Sequence, residues 1–442
     1  MNNILRTKGW YFLVFSFFAL LLILQPHVTK VEAKAIETKA ESAIIVDVNT
    51  GKILYAKDDN EALPPASMTK MMTEYIVLEK IDQGEIDWDT TTQISDYAYS
   101  ISANNSFSGV GLIQNKDYTV LELYEAMAIN SDNATTIALA ELIAGSEGEF
   151  VKLMNQKAEE MKLPDFKFVN STGLDNKSLD GNHPEGTKAD DTNLLSARSA
   201  ALLAYHLVND YPEVLDISSI PETDFDGQTI QNWNWMLPHD ATYLKQYYYE
   251  GVDGLKTGHT DLAGYTFTST ATQKDRRLIT VVMKTASEDE RFKETAKLLD
   301  YGFNQFEVIE LFKEGYKLQD EPSVPVAKGK EETVDIALKE GISIPVQKGT
   351  EENYRIEYKL DEKAFNENGE LVAPIKKGDK VGTAELVFDD GEDFGYILDG
   401  ENKVSVDLVT TDDVEKKNWF SLMLGAIGQF FVNLFNNFMD LF

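Results

Sequence analysis

Apolar and polar positions divide the chain into segments of different period. An apolar stretch over residues 10–24 follows Arg6 and Lys8 and precedes the small side chains of Val31-Glu32-Ala33. This is the pattern of a secretory signal cut after Ala33, with Ala33-Lys34-Ala35 as the alternative site and an uncleaved anchor as the competing reading. Residues 43–48 have β-character, Asn49-Thr50-Gly51 is a turn, and residues 52–56 form a second strand. After Pro64 and Pro65 a helical pattern runs through Met71, Met72, Tyr75, Ile76, Leu78 and Glu79. Residues 121–161 are helical with Gly145 as a stop, residues 166–173 are extended, and a polar loop over 175–193 leads to a helix over 196–208. Two strands, 264–272 and 278–285, joined by residues 273–276, precede a helix over 290–301. Strands at both ends of a helical middle predict an α/β (α+β) domain whose sheet is completed by distant segments.

Beyond residue 302 the pattern shortens. β-rich runs at 333–338, 343–347, 354–360 and 380–388, separated by turns, predict a small β-sandwich with no cluster of catalytic residue types. Over residues 418–442 polar residues such as Ser421, Gln429, Asn433, Asn437 and Asp440 recur at helical spacing among aromatic and aliphatic ones. Amides interrupt the run too often for a spanning helix, so an amphipathic helix in the membrane interface is expected. A helix docked on the protein's own core is the alternative. The implied division is a signal peptide at 1–33, a catalytic domain at 34–311, the β-domain at 312–411 and the anchor helix at 412–442.

Composition then removes several classes of function. With 442 residues, 43% apolar, the chain can bury more than one core, and its net charge of −33 argues against nucleic acid, whose phosphates need Lys and Arg. There is no cysteine, which rules out thiolate catalysis and disulfides, and the five histidines lack metal-ligand spacing. No cofactor or metal is expected.

Candidate chemistry lies in three short motifs. Ser67-Met68-Thr69-Lys70 falls beside a helix start, where free backbone amides favour developing negative charge. Three residues on, the Lys70 amine can reach the Ser67 hydroxyl and serve as its base if burial or a second cation lowers its proton affinity. Ser131-Asp132-Asn133 follows an apolar run, and Lys256-Thr257-Gly258 precedes a strand. That order is shared by penicillin-binding proteins and class A β-lactamases.

Together with Lys256-Thr257-Gly258-His259-Thr260, Ala263-Gly264-Tyr265, Ser171-Thr172-Gly173-Leu174, Ser196-Ala197-Arg198 and Arg291-Phe292, the chain resembles the low-molecular-weight penicillin-binding proteins, serine-type D-alanyl-D-alanine carboxypeptidases. One departure is that Ser171-Thr172 stands where many relatives carry a histidine before Gly-Leu. The resemblance implies a β-lactamase/transpeptidase-like catalytic domain, with an antiparallel sheet flanked by helices and a helical lobe. It implies Ser67 as acylated nucleophile, Lys70 as base and Ser131 as proton relay. Asn133, Lys256, Thr257, Gly258, His259 and Arg291 would line the substrate site, with the amides of Ser67 and His259 as oxyanion hole. Its implied partners are peptidoglycan stem peptides, β-lactam antibiotics and the outer face of the cytoplasmic membrane. A class A β-lactamase would need a deacylating glutamate, and no Glu-x-x-Leu-Asn stretch lies between Asn133 and Lys256. A non-catalytic wall-binding scaffold would not need Ser67, Lys70, Ser131 and Lys256 together. Carboxypeptidase and endopeptidase specificity remain open at this level.

Of the remaining conspicuous residues, Asp132 and Arg198 are expected to be structural, Asp224-Phe225-Asp226-Gly227 a turn in place of the calcium loop of which it resembles a fragment, and Tyr247-Tyr248-Tyr249 a packing element, with a sugar platform as the alternative.

Overall fold

The computed structural model describes residues 36–179, 181–398 and 404–420, together with Met423, Ile427, Phe430 and Phe431. The secretory signal expected at 1–33, and most of the C-terminal helix, lie outside the described residues.

A five-stranded antiparallel sheet is assembled from segments near both ends of residues 36–305. Its strands are β1 (Ser42–Asp47), β2 (Ile53–Lys57), β3 (Val252–Thr260), β4 (Gly264–Gln273) and β5 (Arg276–Thr285), in the order β2-β1-β5-β4-β3. Side chains alternate along a strand, and here each face meets a different apolar layer. Ile44, Val46, Ile279, Val281 and Met283 point toward the helical lobe, while Ala43, Ile45, Leu278 and Val282 meet Phe292, Leu298 and Leu299. Two buried faces explain why β1 reads as a nearly continuous apolar run. The connection expected over residues 273–276 tightens to Lys274-Asp275, both with positive φ, a two-residue hairpin turn. Sequence pattern marks no strand at 252–260, where Gly254, Lys256 and Gly258 break the alternation; the structure forms β3 there through its ladder with β4.

The longer helices are α1 (Lys70–Asp82), α2 (Val120–Ile129), α3 (Asn133–Ala144), α4 (Glu147–Glu160), α5 (Ala197–Asp210) and α6 (Glu288–Gln305). The helical stretch expected at 121–161 is thus three helices. Gly145, at φ 79°, ends α3, and the Asp132 carboxylate starts it by accepting from Thr135 N–H at 2.6 Å. Only Phe166–Lys167 of the extended stretch at 166–173 is a strand; the rest is a loop held by side-chain hydrogen bonds.

From Phe306 the chain is β-structure. β6 (Phe306–Phe312) pairs with β9 (Ile342–Gln347). A second sheet runs β10-β12-β13-β8-β7-β11, where β7 is Ser323–Ala327, β8 Thr333–Leu338, β10 Tyr354–Leu360, β11 Leu371–Val372, β12 Lys380–Phe388 and β13 Ser405–Thr410. Val324, Ile336, Ile344, Ile356, Val381 and Leu408 share one core with Ile309 and Phe312, so the two sheets form the expected sandwich. β6, β7, β11 and β13 have no counterpart among the sequence-predicted runs. The β12–β13 connection returns to the first half: Ile53 N–H donates to Gly395 O, Ile397 N–H to Gly51 O, and buried Lys52 pairs with Asp393 at 2.9 Å. Ile397 itself belongs to the apolar layer of the helical lobe.

Among the described residues no helix is long and apolar enough to cross a membrane. Trp419, Phe420, Met423, Ile427, Phe430 and Phe431 are all exposed, which goes against docking of these positions on the protein's own core.

Candidate active site

Ser67 sits in a short 3-10 turn, Ala66–Thr69, that runs directly into α1. The turn is pinned from two sides by glycines that leave no room for a side chain. A Cβ on Gly173 (φ +88°) would lie 1.9 Å from Ala66 O, and one on Gly258 would lie 2.6 Å from Pro65 O. Ala66 itself has φ +48°, a strained setting for a non-glycine residue that the packed neighbours hold in place.

The Lys70 amine is fully buried and has three neighbours: Ser67 Oγ at 3.0 Å, Asn133 Oδ1 at 2.8 Å and Thr172 O at 2.9 Å. The Asn133 amide is oriented by its own NH2, which donates to Ser108 O at 3.0 Å, so its oxygen faces the lysine. A neutral amine has two hydrogens and one lone pair. Asn133 Oδ1 and Thr172 O can only accept, so they take the hydrogens and the lone pair falls toward the Ser67 hydroxyl, which can donate. Burial, and next the Lys256 cation, hold the Lys70 amine well below the usual lysine range, against the opposing pull of Asp132, Glu74 and Glu147. The geometry and the electrostatics agree on an amine ready to take a proton.

Lys256 lies on β3, 2% exposed, and donates to its neighbour Thr257 O at 3.3 Å. Burial and the Arg291 charge lower its proton affinity, while Glu74 supports the cation. Glu74, one helical turn beyond Lys70, is buried with Oε1 unpaired, and burial raises its carboxyl. Ser131 is left-handed (φ 60°) between α2 and α3, and its hydroxyl is buried with no hydrogen-bond partner among the described residues. Arg291, on the first turns of α6, donates to Gly258 O at 3.2 Å and pairs with Glu288 at 3.2 Å. His259 stacks on Tyr265 with ring centroids 4.0 Å apart.

These residues converge on one cleft of about 330 Å³. Ser67, Ser131, Asn133, Thr257, Gly258, His259 and Arg291 line it, and Lys70 and Lys256 lie buried beneath. All nine sequence-predicted site residues therefore fall at or directly under one cleft. Sequence reasoning missed Phe107, Ser108, Trp233 and Glu288, which also line it. Trp233 is anchored by its indole N–H on Asn130 O at 2.8 Å. It lies in a loop, where no periodicity marks it. Asp132, held by the amides of Val110 and Thr135, serves as a helix cap. Arg198 pairs with Asp59 at 2.7 Å, Asp226-Gly227 turns a short hairpin, and Tyr247 and Tyr249 pack against the α6 layer. Among the described residues no His, Asp and Glu group forms a candidate metal site.

Comparison with known proteins assigns the chain to a family. Residues 28–287 match the family model described as D-alanyl-D-alanine carboxypeptidase (peptidase S11), and residues 306–416 match the C-terminal domain of penicillin-binding protein 5. The chain is 32% identical to the D-alanyl-D-alanine carboxypeptidase DacF of Bacillus subtilis, covering 88% of this chain and 90% of that one. It is 30% identical to DacA of Escherichia coli, covering 90% and 89%. Among solved structures, penicillin-binding protein 3 of Streptococcus pneumoniae superposes with a TM-score of 0.66 at 36% identity, over 86% of this chain and all of that one. Penicillin-binding protein D2 of Listeria monocytogenes, solved in a cefotaxime-bound form, superposes with a TM-score of 0.52 at 28% identity, over 61% of this chain and all of that one. The motifs, the sheet with its helical lobe, the appended sandwich and these matches together make the chain a member of the D-alanyl-D-alanine carboxypeptidase family, a serine carboxypeptidase.

Proposed function

We propose that the protein removes the terminal D-alanine from peptidoglycan stem pentapeptides through an acyl-enzyme on Ser67, limiting cross-linking, and that β-lactams acylate the same serine. The observation that carries this reading is the buried Lys70 amine held 3.0 Å from Ser67 Oγ by two fixed acceptors, Asn133 Oδ1 and Thr172 O. Lys70 takes the hydroxyl proton as Oγ attacks the carbonyl carbon of the penultimate D-alanine. The N–H groups of Ser67 and His259 hold the oxyanion, an interaction worth on the order of a hundredfold in rate per donor. Ser131 Oγ passes a proton to the leaving amine as the C–N bond breaks, and water then hydrolyses the ester to a carboxylate and free Ser67. Asn133 orients Lys70 and a substrate amide. Lys256, Thr257 and Arg291 receive the substrate's terminal carboxylate. The cefotaxime-bound relative supports the β-lactam part of the reading.

The test is release of D-alanine from purified stem pentapeptide, with mass-spectrometric mapping of a fluorescent penicillin adduct. Ser67→Ala should abolish both while leaving the thermal melt in place; an adduct on Ser131, or no adduct, would sink the assignment. Rapid loss of the label would instead indicate a lactamase. The same assay on the pentapeptide amide tests the carboxylate site. Losing a charge-assisted hydrogen bond costs about 1.5–3 kcal/mol, so the wild-type enzyme should prefer the acid by roughly ten- to a hundredfold. Arg291→Lys should narrow that preference; an equal preference in both proteins would remove Arg291 from the site.

The proposed organisation is a cleaved signal at 1–33, the catalytic domain at 34–311, the sandwich at 312–411 and an interfacial anchor at 412–442, on the outer face of the cytoplasmic membrane. The exposed aromatic and aliphatic residues from Trp419 to Phe431 support the anchor. Truncation before Asn418 should leave a soluble, active enzyme; if the signal-cleaved, truncated protein still pelleted with membranes, the anchor would lie elsewhere.

A further inference from the structure

Glu147 does not line the cleft and has no part in the acyl transfer described above, yet it is tied to the seat of the Lys70 amine. It is the first residue of α4, after the N-cap Ser146, where free backbone amides and the helix dipole favour an anion. One carboxylate oxygen accepts twice from Ser171, from its N–H at 2.9 Å and from its hydroxyl at 2.6 Å. The next carbonyls of that loop reach α1. Ser171 O accepts from Thr73 Oγ1 at 3.1 Å, and Thr172 O accepts from Lys70 Nζ at 2.9 Å. The far side of the loop is fixed by Asn170 Oδ1, which accepts from Thr172 N–H at 3.2 Å and Gly173 N–H at 2.7 Å. Glu147 therefore grips this loop by the hydroxyl of Ser171, in the Ser171-Thr172 pair that departs from the histidine pattern of many relatives.

We propose that Glu147 is a positioning residue for Lys70, fixing through Ser171 the Thr172 carbonyl on which the lysine amine rests. The inference rests on the reading of Lys70 as the base that activates Ser67. Removing the Ser171 contacts would let the Thr172 carbonyl drift. The amine would then have a choice of orientations, and its lone pair would leave Ser67 Oγ for part of the time.

The carboxylate also acts by charge. Lys70 on α1, Tyr97 on the helix Asp96–Ser102 and Glu141 on α3 are the titratable groups that interact with it, and the Tyr97 hydroxyl joins Ser171 in hydrogen bonding the carboxylate. Lys70 in turn feels Lys256 from β3, Asp132 from the start of α3, and Glu74 from its own helix. Burial raises the Glu147 carboxyl, and in its ionised form its negative charge favours the ammonium form of Lys70. Neutralising it lowers the proton affinity of Lys70 further, so the free base persists to lower pH.

These two effects separate in the second-order rate constant for acylation of the full-length enzyme by a penicillin, measured across pH. Glu147→Gln keeps an oxygen for Ser171 but loses the charge. Its acid limb should move to lower pH by about 0.3–1 pH unit, the lower end of the effect of a nearby opposite charge. Glu147→Asp keeps the charge but falls a methylene short of Ser171. Its limb should stay in place while the plateau drops by about tenfold, as expected when a reacting group loses its fixed geometry. Ser171→Ala, the mildest change, should lower the plateau by a smaller factor and repeats the geometric arm if a Glu147 variant does not fold. A purely structural glutamate would lower the melting temperature in each variant without moving the acid limb. Folded variants with the wild-type plateau and wild-type limb would overturn the proposal. Lys70→Met tells the two failures apart: if it is inert while the Glu147 variants behave as wild type, only the positioning role falls, whereas near-normal acylation by Lys70→Met removes the base itself.

Discussion

Lys70→Met should lower penicillin acylation by about 10²–10⁴-fold, the range for removing a general base. Methionine has similar length and no branch, so it fills the buried space without bringing a charge. It cannot take a proton, and among the described residues no other amine hydrogen-bonds Ser67 Oγ; Lys256 Nζ donates to Thr257 O at 3.3 Å. Stability should fall as well. Asn133 Oδ1 and Thr172 O each lose a buried donor, and an unpaired buried acceptor costs about 1–3 kcal/mol. Stopped-flow acylation with a thermal melt on the same sample checks both effects. A rate within a few-fold of wild type would assign proton removal to another group and would also undo the inference about Glu147.

The second large effect is expected at a residue that carries no titrating group. Gly173→Ala places a methyl 1.9 Å from Ala66 O and 3.0 Å from Ser67 N, at φ +88°. Neither neighbour is a flexible side-chain end, so the backbone that carries the nucleophile must move. Displacing reacting atoms by an ångström can cost about a hundredfold in rate, and the left-handed conformation adds about 1–3 kcal/mol of strain for a residue with a Cβ. Gly84→Ala is the control: it shares a positive φ (+70°) but meets no heavy atom within 4 Å. It should lose a little stability and keep full activity. Equal acylation rates in the two variants would mean that the contact between Gly173 and the Ala66 turn has no influence on Ser67.

How far the sequence reveals this site depends on the kind of contact involved. Ser67, Lys70, Ser131 and Lys256 were legible because the chemistry demands particular residue types at short spacing. α4 was legible from the helical pattern beyond the Gly145 stop, and α6 from the pattern over 290–301, which falls short of its observed bounds Glu288–Gln305 at both ends. β3 was not, since its strand character comes from pairing with β4 and not from its own glycine-rich sequence. Glu147 could not be found either: its role arises only when the start of α4 meets a loop residue 24 positions further along the chain. β7 escaped because Pro325 breaks its strand pattern; the structure tolerates the proline because β11 pairs only with Val326 and Ala327, beyond it. The sandwich was inferred from four of its eight strands, and the inference held because its apolar alternation is strong where the core is deepest.

The return of the β12–β13 connection to β2 has a consequence for self-association. An edge strand offers a row of free amides and carbonyls to any passing chain, and proteins blunt such edges or aggregate through them. On the β2 side the start of the edge is taken up by the protein's own chain, with Ile53 N–H donating to Gly395 O and Gly51 O accepting from Ile397 N–H. On the β3 side, side-chain donors occupy the carbonyls instead: Ser218 on Asp253 O at 2.9 Å, Asn234 on Gly254 O at 3.4 Å and Arg291 on Gly258 O at 3.2 Å. The sheet that carries Lys256 is thus guarded at both ends by different means. A copy of this enzyme meeting another at high concentration finds no long bare ladder among the described residues of that sheet to extend.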